Sequence, residues 1–280
     1  MFGSRLPEKP EAGVSAVVTG AGSGIGRAFA LEIARRGGAV HCSDISAESA
    51  RATAEDVIAA GGQAWASQCD VSKLASVQAL AKDAARVLPG PISLVINNAG
   101  VGAGGKPVGE TTIADWKWTL NINLWGVIHG CHVFAPLLRE QGRGGIINVA
   151  STASYSAAPL MGPYNVSKAG VLALSETLTA ELAGTGISVT ALCPTLVKTN
   201  INANGRIVGE SSRLFDRLMN RFGMSPEQVV RMTLDAHRSG DLYVMPQFDA
   251  RMIWRTKRLI PRTYALGTGL INRFGTSRLQ

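Results

Sequence analysis

Short, nearly continuous apolar runs alternate with helix-patterned segments along residues 14–245, and no other feature narrows the possible folds so far. Strands are expected at 14–19 (VSAVVT), 39–44, 63–69, 92–97 (ISLVIN), 145–150, 187–193 and 242–245. Helices are predicted over 25–36, 47–60, 72–88, 113–139 and 163–184, and again from Ser225 onward. Gly37-Gly38 and Gly61-Gly62 stop the first two helices. Ser72 is expected to cap the third. Ser225-Pro226-Glu227-Gln228 supplies a cap, a first-turn proline, an acid and a capping-box glutamine. A strand that is apolar on both sides must be covered on both faces, and repeated strand–helix–strand units make the sheet parallel. The fold class is therefore α/β: a doubly wound parallel sheet in a single domain over 14–250. Residues 195–224 break the rhythm with a connection too long for an ordinary loop and are expected to form a mobile substrate lid.

Composition excludes several other classes. With 46% hydrophobic and 17% charged residues the chain is too apolar to be disordered. No apolar run approaches the roughly eighteen residues of a spanning helix. Residues 1–13 lack the apolar stretch of a signal peptide and read as a mobile arm. Cys42, Cys69, Cys131 and Cys193 form no CxxC pair, so reduced, buried thiols and a cytoplasmic location are expected. His129 and His132 share a helix, but nothing completes a ligand set, and no metal is expected. Charge is uneven: residues 1–200 carry 15 Lys and Arg against 14 Asp and Glu, whereas 251–280 carry seven basic residues and no acid. A nucleic-acid binder would spread its positive charge along a groove or face, so no nucleic-acid partner is expected.

Thr19-Gly20-Ala21-Gly22-Ser23-Gly24-Ile25-Gly26 joins the first strand to its helix. Its glycines let the backbone turn sharply and approach a pyrophosphate, whose charge meets the helix N-terminus. Asp44 ends the second strand, 18 residues after Gly26, where a carboxylate binds both ribose hydroxyls and repels a 2′-phosphate. An alternative role for Asp44 is to cap the next helix. Arg27 is expected to point along its helix, away from any 2′-phosphate.

With this TGxxxGxG spacing the sequence resembles the short-chain dehydrogenase/reductase family, from about Val14 to Thr199. Asp70-Val71 stands where the family holds the adenine. Asn97-Asn98-Ala99-Gly100 matches the segment that lines its cofactor cleft. Asn123, in NINLWG, matches its active-site asparagine. Ser151 precedes Tyr164 by the family's 13 residues, and Tyr164-Asn165-Val166-Ser167-Lys168 is its YxxxK signature. The resemblance implies sheet order 3-2-1-4-5-6-7 and catalytic Ser151, Tyr164, Lys168 and Asn123. It also places cofactor contacts at Gly20, Ser23, Gly24, Ile25, Gly26, Asp44, Asp70, Val71, Asn98, Ala99 and Gly100. Further contacts fall to Tyr164, Lys168, Pro194, Val197 and Thr199. It implies a homodimer or homotetramer built on the helices around 113–139 and 163–184.

The chemistry accounts for the residue types. A free tyrosine is too weak a base at neutral pH. Lys168, one helical turn away, is expected to favour the phenolate and lower the pKa of Tyr164. Ser151 can hydrogen-bond the substrate oxygen. By resemblance, Lys168 also binds the nicotinamide ribose, and Asn123 holds a water that relays protons. One departure from the family stands out: Thr195 follows Pro194 where the family usually has glycine, adding bulk beside the nicotinamide.

Ala157-Ala158-Pro159-Leu160-Met161, with Leu196, Ile201, Ile207 and Leu214, suggests an apolar pocket, with Ser151, Tyr164, Leu160 and Leu196 expected to touch substrate. The expected activity is hydride transfer between NAD(H), rather than NADP(H), and a hydrophobic secondary alcohol or ketone that is alicyclic, aromatic or steroid-like. The alternatives are an NADPH-dependent 3-oxoacyl thioester reductase and a non-catalytic cofactor-sensing protein. For the basic tail, 251–280, two readings stand. Its apolar residues pack on the body or a neighbouring subunit, or it makes weak peripheral contact with anionic lipid.

Overall fold

The computed structural model describes residues 11, 13–199, 201, 205–207, 217, 219 and 221–276. Its strands are Ser15–Thr19 (β1), Ala39–Asp44 (β2), Gln63–Gln68 (β3), Leu94–Asn97 (β4), Ala103–Gly104 (β5), Gly144–Val149 (β6), Ile187–Leu192 (β7), Arg206–Ile207 (β8) and Tyr243–Val244 (β9). Its helices are Gly24–Arg35 (α1), Ala47–Ala59 (α2), Leu74–Val87 (α3), Ile113–Leu120 (α4), Gly126–Gln141 (α5), Ala153–Ser156 (α6), Gly162–Glu181 (α7), Pro226–Arg238 (α8), Phe248–Leu259 (α9) and Pro261–Thr276 (α10).

Seven strands form one parallel sheet in the order β3-β2-β1-β4-β6-β7-β9, the doubly wound arrangement expected. Successive strand residues point to opposite faces, so the apolar runs feed two cores at once. Val18, Ile96 and Ile147 pack with Phe29 and Ile33 of α1 and Leu234 of α8. Their neighbours Val17 and Val95 pack with Phe134 on the opposite face, and Ile146 packs there with Leu138 and Leu178. The four cysteines are free and buried. Arg36, also buried, ties α1 to α8 by donating to Glu32 at 2.8 Å and Asp235 at 2.6 Å.

Three local expectations need correction. The helix predicted over 113–139 is interrupted by a π turn at Asn121–Trp125 that separates α4 from α5. Ser72 does not cap α3. Its hydroxyl donates to Asp70 at 2.6 Å, and Lys73 takes the cap position without a side-chain bond. The pair β5–β8 was not expected: part of the 195–224 connection, whose Arg206 and Ile207 form β8, adds a small parallel ladder beside the main sheet. Much of that connection, including Leu214, and most of the 1–13 arm lie outside the described residues.

The C-terminal helices fold back onto the body. Trp254 meets Tyr155 edge-on at 4.9 Å and lies 5.2 Å from Tyr243. The Tyr264 hydroxyl donates to the Ser156 carbonyl at 2.9 Å. Among the described residues no helix is long and apolar enough to cross a membrane.

Candidate active site

A cleft of about 1150 Å³ runs across the carboxyl ends of the strands, where a doubly wound sheet leaves a crevice at the reversal of strand order. At one end the turn after β1 is held by its surroundings. Gly20 and Gly24 have φ of 63° and 52°, conformations open to glycine. A Cβ on Gly22 would lie 2.9 Å from the Asp44 carboxylate, so only glycine lets the turn come so near. The Gly22 amide donates to Asp44 at 2.9 Å, and the Ser46 amide donates to its other oxygen at 3.0 Å. Ser46, not Asp44, caps α2. Arg27 donates to Asp56 at 2.8 Å and so turns away from Asp44.

Ser23, Gly24, Ile25, Asp70, Val71 and Ala99 line this end of the cleft. So do Gly20, Asp44, Asn98 and Gly100, with Pro194, Val197 and Thr199 along the wall after β7. The Asn98 side chain is nevertheless spent on the turn, donating to the Thr19 and Gly20 carbonyls at 2.9 and 3.0 Å. Gly26 does not line the cleft. A Cβ there would collide with the Gly20 carbonyl, so its role is to let α1 close against the turn.

Ser151 follows β6, while Tyr164 and Lys168 lie one turn apart on α7, and all three line the middle of the cleft. The Lys168 ammonium donates to the Val149 carbonyl at 2.8 Å and stands 5.9 Å from the centre of the Tyr164 ring. Burial pushes Lys168 down to about 8. Burial also pushes the Tyr164 phenol up, opposed by a hydrogen bond with Ser151. This reverses the expected direction for Tyr164: desolvation of the phenolate outweighs any help from a lysine held by a carbonyl.

Asn123 sits in the π turn, fully buried and off the cleft wall. Its carboxamide accepts from the Val101 amide at 2.7 Å and donates to the Val101 carbonyl at 2.9 Å. π turns recur where a functional side chain must be re-aimed, and this one aims Asn123 at the Val101 backbone in the segment before β5. A Cβ on Gly100 would lie 3.2 Å from Asn123 Oδ1 and 3.4 Å from Lys168 Nζ, so the two groups flank one gap.

The other end of the cleft is apolar. Pro159, Met161, Leu196, Ile201 and Ile207 contribute to it. Leu160 does not: it adopts a left-handed conformation (φ 63°), and the cleft is met by its two neighbours instead. Trp118, Ile253, Tyr264 and Thr268 also line this end, and sequence patterning missed all four. Thr195 is explained by the same cover. Its hydroxyl donates to Asp249 at 2.9 Å and its amide to Gln247 at 3.2 Å, fastening the loop after β7 to the start of α9. A second missed element lies in the interior on the same strands and helix. Asn97 donates to Asn148 at 2.8 Å, which donates to Ser175 at 3.0 Å, joining β4, β6 and α7 in the interior. The sequence signal was Asn148 itself, a polar residue inside an apolar strand.

A family model described as short chain dehydrogenase matches residues 15–207. The chain belongs to this family. It has the family's Rossmann-type fold. A short-chain dehydrogenase/reductase from Burkholderia phymatum, solved in complex with NAD, superposes with a TM-score of 0.84 at 34% identity, over 94% of this chain and 97% of that one. Probable oxidoreductase EphD of Mycobacterium tuberculosis is 40% identical over 187 residues, which are 66% of this chain and 31% of EphD. The chain thus spans about a third of that relative's length. D-threitol dehydrogenase of Mycolicibacterium smegmatis is 40% identical over 189 residues, 68% of this chain and 72% of that enzyme. A nicotinamide dinucleotide fits the residues present, because the glycine turn leaves open the space that side chains would fill beside Asp44.

Proposed function

We propose that the protein is an NAD(H)-dependent dehydrogenase of hydrophobic secondary alcohols, or the reductase of the corresponding ketones. One observation carries this reading. A single cleft joins a glycine turn and Asp44 at one end to an apolar chamber at the other, with Ser151, Tyr164 and Lys168 between them. The nicotinamide, when bound, supplies or accepts the hydride.

The chain does the rest. Ser151 hydrogen-bonds the substrate oxygen and holds it beside the Tyr164 hydroxyl. Tyr164 gives that oxygen a proton in reduction and takes it back in oxidation. Lys168 holds the nicotinamide ribose and supplies positive charge next to the phenol. Asn123 fixes the Val101 backbone and lies beside the path by which Lys168 exchanges protons. At the far end Asp44 accepts both ribose hydroxyls, and its charge opposes a 2′-phosphate. Val71, Ala99, Pro194 and Val197 contribute the apolar walls of the cofactor end, and Asp70, Thr199 and the turn amides its polar contacts.

The apolar chamber favours an alicyclic, aromatic or steroid-like substrate over a polyol such as that of the threitol enzyme. Apolar Trp125, Leu137 and Val166 are exposed on the α4–α5 and α7 side, which supports a homodimer or homotetramer built there. Buried, free thiols accord with a cytoplasmic enzyme. A panel of secondary alcohols with NAD⁺, followed by the absorbance of the reduced nicotinamide, tests the reading. Cyclic and aromatic alcohols are expected to turn over well and polyols poorly. Turnover of polyols alone would overturn the substrate class, and no turnover of any alcohol or ketone would leave a cofactor-binding protein.

A further inference from the structure

The C-terminal helices present two unlike faces. Ile253, Trp254 and Tyr264 occupy the inner one, packed on the body or lining the cleft. On the outer one Phe248, Met252 and Leu259 recur at helical spacing along α9, exposed by 70%, 41% and 79%. Leu266 and Leu270 continue the apolar surface on α10, exposed by 70% and 53%. Arg251 and Arg255 of α9 and Arg262 and Arg273 of α10 are exposed on the same pair of helices. Among the described residues none of these four arginines forms a salt bridge. Asp249, the one acid on α9, is engaged by the Thr195 hydroxyl.

We propose that the outer face of α9 and α10 docks on an anionic membrane surface. Apolar side chains at helical spacing can enter the boundary between headgroups and acyl chains, while guanidinium groups beside them pair with lipid phosphates. The charge is concentrated where the apolar surface is: residues 251–280 hold seven basic residues and no acid, against 15 basic and 14 acidic in residues 1–200. No described helix can span a bilayer, so the contact is peripheral. A second copy of the chain suits this face less well, because a two-fold contact would set the same arginines against each other. The docking stands apart from turnover and can be tested without it.

The test is co-sedimentation of the full-length protein with vesicles. One set is phosphatidylcholine alone, the other phosphatidylcholine with phosphatidylglycerol, each at low and at high salt. The protein is expected to sediment with the anionic vesicles at low salt and to be released at high salt. Replacing Arg255, Arg262 and Arg273 by Gln, or Leu259, Leu266 and Leu270 by Ser, is expected to weaken binding roughly tenfold or more. Thermal melts check that both variants remain folded. Failure of the wild-type protein to bind anionic vesicles at low salt would overturn the proposal, and so would equal binding by both variants. Variants that lower the solution mass of the wild type, with no vesicle binding by any form, would identify the face as a contact between copies. In each case the alcohol panel still decides the enzymatic reading separately.

Discussion

The two ends of the cleft are made in opposite ways. At the end proposed for the cofactor, the part around Asp44 comes from one stretch of chain, residues 19–44, and from backbone: positive-φ glycines and an amide bonded to Asp44, in a turn tied down by Asn98. The substrate end comes from side chains that arrive from far apart, Met161, Ile207, Ile253 and Tyr264 among them. A backbone-built site tolerates almost no substitution, because the added atoms meet main chain or a fixed carboxylate. A side-chain-built site can be reshaped one residue at a time while the sheet beneath it stays the same. Specificity is therefore expected to reside in the C-terminal cover and dinucleotide choice in β1–α1–β2.

Tyr164 sits where the two ends meet, so its loss separates chemistry from binding most sharply. Tyr164→Phe is expected to lower kcat about 10²–10⁴-fold while the Kd for NADH changes only a few-fold. Stopped-flow turnover and fluorescence titration check this, and retention of more than a few per cent of activity would remove Tyr164 from its role. Lys168→Ala is expected to damage both quantities. At the cofactor end, Asp44→Ala removes the acceptor for the Gly22 and Ser46 amides together with the charge that repels a 2′-phosphate. The ratio of kcat/KM for NAD⁺ over NADP⁺ is expected to fall roughly tenfold or more, with alcohol preference unchanged.

The proton balance gives a smaller, directional effect. Burial raises the Tyr164 pKa, so the neutral phenol dominates around neutral pH, and Lys168 gives up its charge as pH rises past about 8. Oxidation needs the basic form of Tyr164 and is expected to speed up with rising pH. Reduction needs the acid form and is expected to hold steady through neutrality and fall in alkali. Parallel pH profiles of kcat/KM in the two directions check this, and an oxidation rate already level from neutral pH upward would show a preformed phenolate. The smallest effect belongs to the substrate end. Tyr264→Phe deletes one hydrogen bond to Ser156, so KM for the alcohol is expected to rise a few-fold with NADH binding unchanged.

The same division explains what could be read from the sequence. The alternation of strands and helices, the glycine turn, Asp44 and the Ser151–Tyr164–Lys168 spacing are patterns along the chain, whereas the sheet order came with the family resemblance. Tyr264 and Ile253 reach the cleft only because α9 and α10 fold back, a long-range event with no local signature. Arg258 stacks at 3.6 Å on Trp254 of its own helix, whose ring packs against Tyr155 and Tyr243. The π turn at Asn121–Trp125 was invisible because its cause, the Val101 backbone held by Asn123, lies in another segment. The lowered Tyr164 pKa was inferred from proximity to Lys168, but burial of both groups decided the direction.

The most direct test of the account compares NAD⁺ with NADP⁺ for the wild-type protein oxidising one cyclic or aromatic secondary alcohol. The carboxylate of Asp44, fixed beside the glycine turn, predicts a kcat/KM at least roughly tenfold higher with NAD⁺. Equal or better use of NADP⁺ would contradict it.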